Sequence, residues 1–176
     1  MNDTLKYTRV AMLLHWVTVA LVAALFVIGW TMTDLPKGPA RGETYALHKS
    51  IGITVFLLTL FRLWWRVRHR PPGLPETLPG WQRKLAHGVH HLFYAMLVVQ
   101  PLLGYVSSSF TVYPTRYLGV SLPVWATPDP VLNKLFSGLH EAGAVLLMGV
   151  IGVHVLGAVS HLVREGSGLL RRMLPW

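Results

Sequence analysis

Residues 139–162 read LHEAGAVLLMGVIGVHVLGAVSHL, and this stretch decides the fold. A helix needs roughly 20 apolar residues to cross a hydrocarbon layer about 30 Å thick, and this run supplies them. Within it stand His140, His154 and His161. An ionisable side chain inside a span is costly and is usually functional. His140 and His154 are 14 residues apart. At about 100° and about 1.5 Å per residue, they lie within about 40° of one face and about 21 Å apart along the axis. His161, seven residues further on, continues the same stripe. One helix therefore presents imidazoles at two depths.

Three further apolar runs precede it, at about residues 10–32, 46–65 and 85–106. Composition agrees: 52% of residues are apolar and 13% charged, where a soluble domain carries about 25% charged residues. Mean hydropathy is +0.45. The expected fold is all-α, a single four-helix bundle over residues 1–176 embedded in the lipid bilayer. The first run is too long for a cleavable signal peptide and has no small-residue cleavage site. Pro and Gly punctuate the linkers at 33–45 and 69–80, and the loop over 107–136 is expected on the membrane surface.

Charge sets the expected orientation. The chain holds 16 Lys and Arg against 7 Asp and Glu, a net charge of +9. Eleven of the basic residues fall at the N-terminus, the second linker and the C-terminus, and five on the other side. By the positive-inside rule both termini are cytoplasmic. A basic, apolar, Trp-rich chain fits a membrane protein, so no nucleic-acid partner is expected. The absence of Cys excludes disulfides, thiolate metal sites, iron–sulfur clusters and covalently attached haem.

Depth pairs the histidines. The first helix enters from the cytoplasm, so His15 lies toward that side. The second returns from outside, so His48 lies near the outer side. His48 then shares a level with His140, and His15 with His154. Two imidazoles on different helices facing one bundle interior is what a haem iron with two axial His requires. Gly52, Gly143, Gly149, Gly152 and Gly157 offer surface free of side chains for a porphyrin, although small residues also pack transmembrane helices. His87, His90, His91 and Tyr94 can share a face of the third helix. His90 is a candidate inner ligand or a hydrogen-bond donor to a propionate. A zinc or di-iron site would want clustered ligands at one depth, and a proton relay would want a carboxylate chain. Glu141, at the edge of the fourth span, is the only carboxylate inside a span. No H-E-x-x-H, G-x-S-x-G or Walker loop is present. A haem-free His-rich channel is a third reading.

Taken in order, the motifs resemble the bacterial cytochrome b561 family. They are L-H-W from Leu14, L-H-K-S-I-G from Leu47 and R-L-W-W-R from Arg62 with the R-P-P that ends at Pro72. A-H-G-V-H-H-L-F-Y-A from Ala86 and P-L-L-G from Pro101 follow. L-H-E from Leu139, L-M-G-V-I-G-V-H from Leu147 and L-L-R-R-M-L-P from Leu169 complete the set. The resemblance implies two haem b groups with His15, His48, His140 and His154 as axial ligands, in a bacterial inner membrane. It implies a quinone site near Trp16 and His161. It also implies an oxidoreductase that takes electrons from superoxide at the periplasmic side and passes them to ubiquinone. Arg9, Lys49, Arg62 and Arg66 lie at depths suited to haem propionates. The alternative is a cytochrome b subunit relaying electrons between the quinone pool and a periplasmic partner protein. Outer loops with five basic and four acidic residues give little electrostatic steering of an anion.

Overall fold

The computed structural model of the chain describes residues 6–75, 78–166 and 168–174. Glu76 and Thr77 of the second linker, and Pro175 at the end of the terminal motif, lie outside the described residues. Four long helices carry the fold: α1 Arg9–Asp34, α2 Pro39–Arg68, α3 Gly80–Ser109 and α4 Pro130–Glu165. Between α3 and α4 lies an antiparallel hairpin of β1 Arg116–Tyr117 and β2 Val120–Ser121, and a short α5, Gly168–Arg171, follows α4. The fold is all-α apart from that hairpin. Each apolar run lies inside one helix, and all four helices are long and apolar enough to cross a membrane.

α1 and α4 run past their apolar windows to side-chain caps. Thr8 caps α1 by accepting from the Ala11 N–H at 3.2 Å. Asp129 caps α4, its Oδ1 accepting from Val131 and Leu132 at 2.8 and 3.1 Å. Pro39 and Gly42, expected in a linker, instead belong to the start of α2. Proline is tolerated in a first turn, where its missing N–H has no helical partner to lose. Two buried hydroxyls satisfy themselves on their own helix: Thr18 donates to the Leu14 carbonyl at 2.6 Å and Thr59 to that of Val55 at 2.7 Å.

Sequential helices pack in turn, α1 on α2, α2 on α3 and α3 on α4. Among the described residues, no Cα of α1 or α2 comes within 8 Å of one in α4. α4 therefore meets the first two helices through side chains rather than by close approach of the backbones. The buried core is Val22, Val55, Met96, Leu97, Leu147 and Val150, drawn from all four helices. Val22 lies seven residues after His15, Val55 seven after His48, and Leu147 midway between His140 and His154. The apolar centre thus divides the bundle into two levels.

One end of the bundle gathers the termini. The Tyr7 N–H donates to the Arg172 carbonyl at 3.2 Å, and Arg172 donates through Nη1 to the Gly73 carbonyl at 2.8 Å. The other end carries the hairpin. Its two-residue turn holds Leu118 and Gly119 at φ 50° and 87°, the positive pair that a type I′ turn requires. The loop does not simply lie on the surface as expected. Ser50 of α2 accepts from the Leu118 N–H at 3.1 Å, and Thr54 meets the Tyr117 hydroxyl at 3.5 Å. One edge of the hairpin is thereby anchored against α2 just below His48, while Val112, Tyr113, Val120 and Val124 stay exposed.

Candidate haem-binding site

At each level an imidazole of α4 meets one from α1 or α2. At the hairpin end, His48 of α2 and His140 of α4 have ring centroids 6.2 Å apart, with planes at 83°. At the terminal end, His15 of α1 and His154 of α4 have centroids 6.3 Å apart, with planes at 68°. Two imidazoles bound on opposite sides of one metal, with about 2 Å to each nitrogen and about 1.1 Å from nitrogen to ring centre, have centroids about 6.2 Å apart. Both pairs match that separation. Among the described residues no group of three or more His, Asp or Glu converges as a cage for a bare metal ion. A haem needs only two ligands from the protein, because its porphyrin supplies the rest.

The surroundings of the imidazoles also suit a flat ligand. His48 Nδ1 is buried without a hydrogen-bond partner, so packing rather than bonding positions that ring. A Cβ at Gly29 would stand 3.3 Å from His48 Cε1, and one at Gly104 would stand 3.2 Å from His140 Cε1. Each glycine makes room for an imidazole on the neighbouring helix. His140 is held further: its Nδ1 donates to the Gln100 carbonyl at 3.0 Å, and the buried Gln100 amide donates to the His140 carbonyl at 2.9 Å. That bond orients the ring and leaves Nε2 free to meet a metal.

Of the glycines expected to face a porphyrin, Gly52, Gly149, Gly152 and Gly157 have open space where a Cβ would stand. Gly143 does not. The Gln100 side chain occupies that place, its Cδ 2.8 Å from a Cβ there, so Gly143 admits a glutamine and not a porphyrin.

The terminal end brings together more groups. His90 of α3 lies 5.6 Å from His154, ring centre to ring centre, and Phe93 lies 5.4 Å from it. His90 is thus adjacent to the pair, but closer to His154 than an opposed axial ligand would be. Arg62 places Nη2 3.3 Å from His15 Nδ1. Arg62 and Arg66 both lie over the Tyr94 ring, at 5.6 and 5.7 Å from its centre. His87 and His91 are exposed. Arg9 is exposed at the first turn of α1, and Lys49 is half-buried beside His48.

Trp16 packs edge-on against His15, with centroids 5.2 Å apart. Its indole N–H is already committed, donating to the Met173 carbonyl at 2.8 Å. Trp16 therefore presents an aromatic face and no free N–H. His161 is half-buried on α4, about two turns beyond His154. Gln100, Gly29 and the Met173 contact escape a reading of single helices, because each depends on how neighbouring helices are rotated against one another.

A four-helix membrane bundle with two levels of facing imidazoles is the framework of a membrane b-type cytochrome. The chain belongs to the prokaryotic cytochrome b561 family, whose model matches residues 6–176. It is similar to cytochrome b561 homolog 1 of Escherichia coli strain K12, with 29% identity over 97% of both chains. It is similar also to homolog 2 of that strain, with 28% identity over 98% of this chain and 93% of the relative. Cytochrome b562 of Cereibacter sphaeroides is 32% identical over 96% of each chain. Family membership makes the chain a multi-pass membrane protein that binds b-type haem and carries electrons.

Proposed function

We propose that the chain binds two haem b groups, one between His48 and His140 and one between His15 and His154. In this reading it oxidises superoxide at the periplasmic face and reduces ubiquinone at the cytoplasmic face of a bacterial inner membrane. The observation that carries the reading is the matched spacing of the imidazole pairs, 6.2 and 6.3 Å. When bound, each haem would supply a reversible one-electron couple, and two histidine ligands from the chain would suit it to electron transfer.

The side chains divide the remaining work. Arg62, Arg66 and His90 at the terminal end, and Lys49 at the hairpin end, provide cationic or hydrogen-bonding partners for propionates. Arg9 is a further candidate, more exposed than these. Each superoxide anion loses one electron and leaves as dioxygen. Ubiquinone takes two electrons and two protons. His161, near the cytoplasmic interface, can bond a quinone carbonyl and pass a proton, a role that suits an imidazole. Trp16 walls the same groove.

A second reading, a relay subunit serving a periplasmic redox protein, is favoured by one observation. The hairpin face exposes Val112, Tyr113, Leu118, Val120 and Val124, each more than two-thirds accessible. Exposed apolar surface of that kind can mark a docking site. Purified protein exposed to an enzymatic superoxide source separates the two. The superoxide reading requires haem reduction by superoxide alone, followed by reoxidation with a short-chain ubiquinone. Reduction only when a periplasmic redox protein is added would assign the relay role instead.

A further inference from the structure

We infer that the hairpin end holds a second small-molecule site, a pocket for a hydroquinone-type ring, separate from the quinone site near His161. A ring reductant held there supplies electrons to the His48–His140 level. Ring binding needs no haem, whereas the electron-entry role rests on the haem ligation proposed above.

The pocket lies between the end of α3 and the loop that follows it, with a volume of about 210 Å³. An apolar cavity of about 150 Å³ takes up benzene, so this one admits a substituted six-membered ring. Tyr105, Tyr113 and Trp125 supply aromatic walls, and Pro114 and Pro123 add flat apolar ones. Trp125 is packed against Tyr105 and Phe110, with ring centres 6.4 and 6.0 Å away, yet it stays 55% accessible. The loop is pinned in this shape. The Leu122 N–H donates to the Thr115 carbonyl at 2.8 Å, and the Asp129 N–H to the Phe110 carbonyl at 3.0 Å. Small-molecule sites are usually preformed in this way.

Polar groups in the pocket narrow the ligand. No charged side chain lines it, so a cation or an anion would lie there without a counter-charge. Ser109 donates to the Tyr105 carbonyl at 2.9 Å and Thr111 to the Ser108 carbonyl at 2.8 Å, which leaves their oxygens as acceptors. Among the described residues, none bonds to the Tyr105 and Tyr113 hydroxyls or to the Trp125 indole N–H. A phenol hydroxyl can donate or accept. A neutral flat ring whose oxygens change from hydroxyl to carbonyl on oxidation needs partners of that kind.

The position suits electron entry. Tyr105 follows Gly104, whose Cβ position stands 3.2 Å from His140 Cε1. Pocket and imidazole level thus adjoin on α3. A hydroquinone oxidised in the pocket becomes the quinone. It gives two electrons, one at a time, to the hairpin-end haem, and two protons to the water outside.

The test is photolabelling of the purified full chain with an azidoquinone, mapped by peptide mass spectrometry. Label should fall within residues 105–128. Excess duroquinone should suppress it, while durene, the same methylated ring without oxygens, should not. Trp125→Leu should lower the label about tenfold through lost stacking. Tyr105→Phe, which removes one hydroxyl, should lower it about fivefold, and it keeps the test valid if Trp125→Leu does not fold. Label absent from that segment, suppressed equally by durene, or unchanged in both variants would overturn the inference. Label found only beside His161 would overturn it too, while supporting the cytoplasmic site. Stronger labelling by an isoprenoid-tailed probe assigns a membrane hydroquinone, and equal labelling by a tailless one assigns a soluble ring. Labelling at 105–128 with no haem reduction by duroquinol would overturn the electron-entry role. The same labelling in a chain that binds no haem would overturn the ligation instead, a distinct result.

Discussion

His140 and Gln100 are bonded to each other twice across the α3–α4 interface, ring nitrogen to carbonyl at 3.0 Å and side-chain amide to carbonyl at 2.9 Å. Gly143 makes this possible by leaving room for the glutamine. Gln100→Leu removes a bond to a buried carbonyl, a loss of about 1–3 kcal/mol. The expected outcome is weaker haem retention at the hairpin-end site, by about 10–100-fold, with the other site spared. Gly143→Ala should reproduce the defect by displacing Gln100. The double variant should be less damaging than the two effects added, because both act on one contact. Haem content after dilution or chelation by apomyoglobin reads all three.

His90 stands 5.6 Å from His154, where an opposed ligand would stand about 6.2 Å away. His90→Ala should therefore keep both haems, while His15→Ala should lose one. Haem per chain, measured as the pyridine complex, checks this. Loss of a haem in His90→Ala with full retention in His15→Ala would make His90 the ligand.

Trp16 donates to the Met173 carbonyl, tying α1 to the segment after α5. Trp16→Phe keeps an aromatic wall and removes one bond, at a cost of about 1 kcal/mol. It should leave haem content unchanged and alter ubiquinone reduction only modestly. His161→Ala should leave haem content unchanged and slow ubiquinone reduction by pre-reduced protein at least tenfold. Wild-type quinone kinetics in His161→Ala would place the quinone elsewhere.

Four spans would put both termini on one side of the membrane, and the positive-inside rule predicts that this side is the cytoplasm. A reporter fused after the last residue should read as cytoplasmic, and one inserted near Tyr113 should read as periplasmic. The reverse pattern would exchange the faces assigned to donor and quinone.

Much of this arrangement was legible in the residues. Apolar runs marked the four helices, and the 14-residue spacing of His140 and His154 marked two levels on one face. Antiparallel alternation then paired His48 and His15 with them by depth alone. What stayed hidden depends on rotation between helices. Gly29 and Gly104 are unremarkable in sequence until the imidazoles of His48 and His140 are placed against them. Gln100 reads as a stray polar residue beside Pro101, and Gly143 as porphyrin surface, until α3 is docked on α4. The hairpin is too short for a period-2 signal, and its register is set by Ser50 and Thr54 on another helix.

The most direct measurement is haem per purified chain in the wild type and in His15→Ala, His48→Ala, His140→Ala and His154→Ala, with visible spectra and carbon monoxide binding recorded on each. The expected wild type carries two haem b, both six-coordinate and inert to carbon monoxide, and each substitution removes one. His48→Ala and His140→Ala should leave one spectrum, and His15→Ala and His154→Ala the other. A wild type with a single haem would contradict the ligation, as would any of the four variants keeping two haems with unchanged spectra.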